Sequence, residues 1–477
     1  MKLKYLFLSF VLIAFTGCDA DLDSLEGMPI YVDIDSGDAD FERFVAVGAS
    51  VTAGYTDNAL FQLGQMNSYP NIMAGVMAHA GGGNFTQPYM DDNVGGLLLF
   101  GNQIQGPRLF FNGAGPAPVS GTPTTEVSNV MPGPHSNLAV PGARAIHFLA
   151  PGYGSLAGFM QGLANPYYVR MASSDGASVV GDALAQAPTF VALWSGGNDA
   201  LGFATSGGTS SLTTPGDFDF AIGTTMAMLA SSGADGIIVN IPDVTSIAFL
   251  NTVPYNSIPL DDATAQMLNG GFAAYNGGLQ VFAMMGMISA AEAAARTIVF
   301  AAGQNAVTIE DSDLTDLSFF GVPSYRMATA DDKVVLTAMT FLGTTVGGNP
   351  TLINGVSVPL ADNWVLTANE VAEAQAAISS FNGTIQGLAS QYGWAHWDAH
   401  AVLNQVVTQG YPMDDFVMTG DFVMGGLFSL DGVHPTARGN ALIAKLMLAE
   451  IDAHYGSNLS DVHLDIGDYP TNYPDGL

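Results

Sequence analysis

The sequence predicts an α/β domain of three layers: a parallel sheet of about five strands, helices on both faces, and two long insertions. Three observations predict it. From about Phe41 onward, short β-rich runs alternate with longer helix-permissive ones, the chain pattern of a parallel sheet. The 477 residues are 48% hydrophobic and only 11% charged, enough for a sizeable core, and single α/β domains with insertions reach this length. Two stretches rich in Gly, Pro and Asn exceed the length of ordinary connections.

Taken in order, the buried strand candidates are FVAVG (44–48), FVALW (190–194), GIIVNI (236–241) and WAHWDAH (394–400). Helices are expected at SYPNIMAGVMAHA, DFAIGTTMAMLASSG, ATAQMLNGGFAAYNGGLQVFAMM, NEVAEAQAAISSFNGTIQGLASQ and ARGNALIAKLMLAEIDAHY. Thr367 and Glu370 have capping-box spacing at the start of the fourth. The insertions fall at about 81–135 and 296–366. Within the second, TLINGVSV carries Asn354-Gly355 between two β-type triplets, a local hairpin signal. No repeat of fixed period is visible.

Charge bears on partners. Against 43 acidic residues stand 11 basic ones, a formal net charge of −32, and such a surface repels phosphate backbones, so no nucleic-acid partner is expected. Lys2 and Lys4 precede the apolar run from Tyr5 to Phe15, the layout of a secretory leader and too short for a membrane span. The run ends in FTGC, which resembles the bacterial lipoprotein signal, with Phe15 where an aliphatic residue is usual. The resemblance implies a leader at 1–18 and a lipidated Cys18, the single cysteine of the chain, so no disulfide can form within one molecule. The acidic tract at 19–40 is expected to be a solvated tether. It also resembles the export signal of Bacteroidetes-type lipoproteins, which implies a lipid-anchored protein of the cell envelope, at the outer membrane and surface-exposed.

Catalysis by a hydroxyl requires a base, an acid that orients the base, and donors for the oxyanion. The stretch VAVGASVTAGY puts Ser50 where a strand hands over to a helix. SLDGVHPTARGN sets Asp431 three residues before His434, a spacing that lets a carboxylate reach Nδ1 in a turn and leaves Nε2 free for a proton. WSGGND follows an apolar strand directly, which puts Asn198 at the carboxyl edge of the sheet, where α/β proteins bind ligands. NLAVPGA supplies Gly142, whose backbone N–H can approach a substrate closely.

GAS at 48–50, Gly142 in NLAVPGA, GGND at 196–199 and DGVH at 431–434 together resemble the four motif blocks of the SGNH/GDSL hydrolases, in that family's order. The match spans roughly residues 41–455, and four ordered blocks are far more specific than one. The resemblance implies the SGNH-hydrolase/flavodoxin-like arrangement for a domain at 41–460, with a C-terminal tail at 461–477. It implies Ser50 as nucleophile, His434 and Asp431 completing the triad, and Gly142 and Asn198 joining the Ser50 backbone N–H in the oxyanion hole. The activity implied is hydrolysis of a carboxylic ester through an acyl-enzyme, as esterase or lipase, with no cofactor. Ala49 stands where the family usually has Asp, a residue outside the triad.

Other readings stand beside this one. Ser50 is also a good helix N-cap, Asp431 and His434 fit a surface turn, and Asn198 with Asp199 fits a plain strand-to-loop turn. The α/β-hydrolase elbow G-x-S-x-G fails at Thr52. An extended HWDAH would align His396, Asp398 and His400 as zinc ligands, the rival enzyme class, although a strand ending in Asp before a helix is a common cap. His79, His135, His147, His454 and His463 show no ligand spacing. A glycan O-acetyl esterase and a non-catalytic surface binding lipoprotein are the alternative functions, and FLGTT, LLLFG and RLFF in the insertions are candidates for an acyl groove.

Overall fold

Apolar segments flanked by glycine and small residues pair into one parallel sheet of five strands. These are β1 (Phe44–Gly48), β2 (Asn137–Ala139), β3 (Phe190–Trp194), β4 (Asp235–Val239) and β5 (Ala395–Trp397), in spatial order β5-β4-β3-β1-β2. The computed structural model describes residues 33–477, so Cys18, the leader and residues 19–32 of the tether lie outside the described residues. Ala46 pairs with Asn137 on one side and Ala192 on the other, and the ladder continues through Ile237 to Ala395. The chain leaves β1 for one edge and returns to β3 on its other side. That reversal opens a crevice beyond the carboxyl ends of β1 and β3, the place where open α/β sheets hold ligands.

The helices that frame the sheet and the insertions include α1 (Ser50–Ala53), α2 (Tyr69–Met77), α3 (Val179–Leu184), α4 (Gly197–Thr205), α5 (Pro215–Ala230), α6 (Asp262–Met284), α7 (Ala290–Arg296), α8 (Ala368–Tyr392), α9 (Ala399–Gln409) and α10 (Ala437–Tyr455). Along β3, Phe190 meets Tyr455 of α10 and Trp194 meets Tyr69 of α2, so its even-numbered side chains take one face. The odd-numbered Val191 and Leu193 are also fully buried, beneath the opposite layer that contains α3, α5 and α8. There Phe218 of α5 stacks on Phe381 of α8 at 4.2 Å. Burial on both faces explains why these strands are continuously apolar. Among the described residues no helix is long and apolar enough to cross a membrane.

Several local expectations change. WAHWDAH contributes only Ala395–Trp397 to the sheet, because Asp398 caps α9 by accepting from the Ala401 N–H at 2.9 Å. The fifth strand is Asn137–Ala139, three residues at the sheet edge. Asn354-Gly355 makes a turn but no paired strands: the Val356 and Val358 N–H groups both donate to the Ile353 carbonyl, at 3.1 and 3.0 Å, while Ile353 forms its bridge with Thr345 and the Gly355 carbonyl accepts from the Thr308 N–H at 2.9 Å. The second insertion is wider than 296–366. Ile258–Leu260 pairs antiparallel with Gly303–Asn305, which makes α6 and α7 part of the same excursion between β4 and α8.

Both ends of the described chain are docked. Residues 33–40 are not a free tether: the Asp38 N–H donates to the Tyr455 carbonyl at 2.8 Å, and Ala39 is buried. The tail closes on the first insertion, where buried Arg108 donates to the carbonyls of Tyr473 and Pro474.

Candidate active site

At the end of β1 the backbone has no room for a side chain. A Cβ on Gly48 would stand 2.1 Å from Thr52 Oγ1 and 3.0 Å from the Trp194 carbonyl oxygen, so α1 can start hard against the sheet. The Thr52 hydroxyl is itself hydrogen-bonded to Tyr69 at 3.0 Å. Ala49, with no side-chain bond to give, holds the N-cap position, and Ser50 is the first residue of α1. Ser50 is therefore not the cap; its hydroxyl turns to the neighbouring loop.

That loop precedes α10. Ser50 Oγ lies 2.8 Å from His434 Nε2, and His434 Nδ1 lies 2.8 Å from Asp431 Oδ2. An ionised carboxylate only accepts, so the proton belongs on Nδ1, and Nε2 is left to accept from the Ser50 hydroxyl. Asp431 also accepts from the backbone N–H groups of Val433 and His434, from the Ser429 hydroxyl, and from the Asn58 N–H. Burial alone would raise this carboxyl, but the charge and hydrogen bonds of His434 and the N–H donors outweigh it and hold Asp431 down at about 2.

The other two blocks converge on the same crevice. Asn198, in the first turn of α4, donates from Nδ2 to the Ala143 carbonyl at 2.9 Å, which leaves its second amide hydrogen free. Asp199 accepts from the Ala145 N–H at 2.9 Å, and its carboxyl is pushed up by burial. These two bonds stitch the loop after β3 to the loop after β2. Gly142, in that second loop, has φ +81°, and a Cβ there would meet nothing closer than Asn165 Nδ2 at 3.9 Å. Its backbone conformation favours glycine, and the space above it is open. Ser50, Asn198 and His434 line one cavity of about 90 Å³; Gly142 stands one residue from the Asn198–Ala143 bond and outside that lining. Larger hollows of about 640 and 720 Å³ lie elsewhere and touch none of these residues.

Three residues around His434, Tyr55, Asp57 and Asn58, lie outside the four motif blocks. The Tyr55 ring lies against the imidazole, centroids 4.7 Å apart. Asp57 and Asn58 form a tight turn with φ of 51° and 66°, closed by the Thr56–Ala59 bridge. The Asp57 N–H donates to the Ser429 hydroxyl at 3.0 Å, and Asp57 Oδ1 accepts from the Leu430 N–H at 3.0 Å. Burial, helped by the nearby Asp431 charge, pushes the Asp57 carboxyl up to about 7, although the Leu430 N–H and Arg108 pull the other way. Two adjacent Asx residues are the usual signal for such a turn, and that signal was present in TDNA.

The zinc arrangement at HWDAH is not formed. Asp398 is bonded to Ala401 and to the Asn240 amide at 2.7 Å, and among the described residues no three metal-ligating side chains converge.

Fold and site together define an α/β chain with a Ser–His–Asp relay at the switch point of a five-stranded parallel sheet. No family model, curated protein or solved structure matches the chain.

Proposed function

We propose that this chain is a carboxylic-ester hydrolase of the SGNH/GDSL type that works through a serine acyl-enzyme. The observation that carries the reading is the relay itself, Ser50 Oγ to His434 Nε2 and His434 Nδ1 to Asp431 Oδ2, each 2.8 Å. Ser50 Oγ attacks the ester carbonyl carbon while its proton passes to Nε2. Asp431 holds the tautomer and stabilises the imidazolium. The tetrahedral oxyanion is met by the Ser50 and Gly142 N–H groups and the free amide hydrogen of Asn198, donors of a kind worth about 10²–10³ in kcat each. Collapse expels the alcohol, which takes the proton from Nε2. Water then repeats the sequence on the acyl-enzyme and releases the acid. Side chains, backbone and water suffice for every step.

The same reading anchors the enzyme to the cell envelope through Cys18, on the strength of FTGC and the acidic tract after it. The activity is tested by p-nitrophenyl acetate hydrolysis with the full-length protein and with Ser50→Ala. A loss of about 10³ or more in kcat is expected. Equal rates in the two proteins would remove the serine mechanism.

A further inference from the structure

The cavity beside Ser50 is continued by another. Val51, Trp194, Pro242, Ile247 and Val433 line it and also line a second hollow of about 100 Å³. The second hollow lies between α9 and α10. Val402, Leu403 and Val406 face it from one helix, and Leu442, Ile443 and Leu446 from the other, the same i, i+1, i+4 stripe on each. None of its lining residues carries a charge, a hydroxyl or an amide. Val406 and Leu442 on its floor are buried, whereas Val402 and Leu446 are half-buried. Two apolar stripes that face each other ordinarily close to core density, because every unfilled gap forfeits dispersion contacts. Here they stand apart.

We propose that this hollow is the acyl-chain pocket of the enzyme, entered from Ser50 past Val51 and Val433 and filled by a straight, saturated chain of medium length. The inference rests on the reading of Ser50 as nucleophile. It commits to the acyl half of the ester for a kinetic reason. The acyl group stays bonded to Ser50 Oγ through the second half-reaction, whereas the alcohol must reach water before that half begins. A hollow floored by buried side chains suits the half that stays. A space of this size takes on the order of a handful of solvent-sized groups, which sets the preferred chain beyond acetate and short of dodecanoate.

The test uses the full-length protein with two ester series: p-nitrophenyl acetate, butyrate, octanoate and dodecanoate, and acetates of alcohols of rising length. On the acyl series kcat/KM is expected to rise about fourfold for each methylene that enters, then level off; on the alcohol series it stays nearly flat. Val402→Trp and Leu446→Trp fill the hollow from opposite helices, so a folding defect in one leaves the other to report. Each is expected to lower the octanoate-to-acetate ratio of kcat/KM at least tenfold. Free octanoate should inhibit the wild-type protein competitively, a measurement that needs no variant. Hydrolysis of acetate with a flat acyl profile, or a preference that follows the alcohol, overturns the pocket and leaves the serine reading intact. Hydrolysis of no ester at all overturns both.

Discussion

Both carboxylate oxygens of Asp431 are engaged, by two hydrogen bonds on one and three on the other, and only one of the five donors is His434 Nδ1. Asp431→Asn keeps that shape but removes the charge that stabilises the imidazolium and lets the amide favour the wrong tautomer. A fall in kcat of about 10⁴ with KM little changed is expected on p-nitrophenyl acetate; an unchanged kcat would show that His434 needs no orienting acid. Asp57 sits behind this arrangement, buried, and its carboxyl is held at about 7. A folded-state value raised above the unfolded one means that the folded chain holds the proton more tightly. The stabilisation is therefore complete below about 4 and is lost as pH rises through about 7. Asn adopts the left-handed backbone of this position readily, so Asp57→Asn should fold and should gain Tm relative to wild type as pH rises across that window. A Tm difference that does not change with pH would contradict the assignment. Ser50, Asp431 and His434 were legible because their chemistry comes with short spacings and turn residues. Asp57 was not, because its partner Leu430 is 373 positions away and no local pattern encodes that pairing.

Elements were legible where local and tertiary preferences agree. Thr367 and Glu370 form the capping box their spacing predicts, with the Thr367 N–H donating to Glu370 at 2.7 Å. Asn354-Gly355 was right as a turn, closed by the Val356 N–H on the Ile353 carbonyl, but not as a hairpin, because Val358 folds back onto the same carbonyl and Ile353 bridges Thr345, so no ladder extends from the turn. Three residues of β2 are too few to show a period, and the expected turn chemistry of NLAVPGA hid them. The second insertion is closed at the start of α8 by the antiparallel pairing of Lys333–Val334 with Val365–Leu366, and by charge. Arg326 donates to Asp311 at 2.5 Å and to Asp332 at 2.6 and 2.8 Å, and Asp332 also accepts from the Ala368 N–H at the start of α8. Arg326→Met would leave two buried carboxylates unpaired. It should cost about 3–5 kcal/mol, read as a lower urea midpoint; an unchanged midpoint would mean that water already reaches these groups.

At the scale of the whole molecule, three loops that follow β1, β2 and β3 are gathered at one crevice by strand order, and the loop before α10 closes on them from the far end of the chain. The alternation of strands and helices made this architecture legible; the strand order, which decides which loops meet, has no local signature. The central claim is that the Ser50 hydroxyl is made nucleophilic by His434, 384 positions on. A fluorophosphonate probe reports this directly, because it forms a stable bond only with an activated serine. Peptide mapping of the labelled full-length protein should find the adduct on Ser50 in wild type and lose it in His434→Ala. Labelling of Ser50 that survives the loss of the imidazole, or an adduct on another serine alone, would contradict the account.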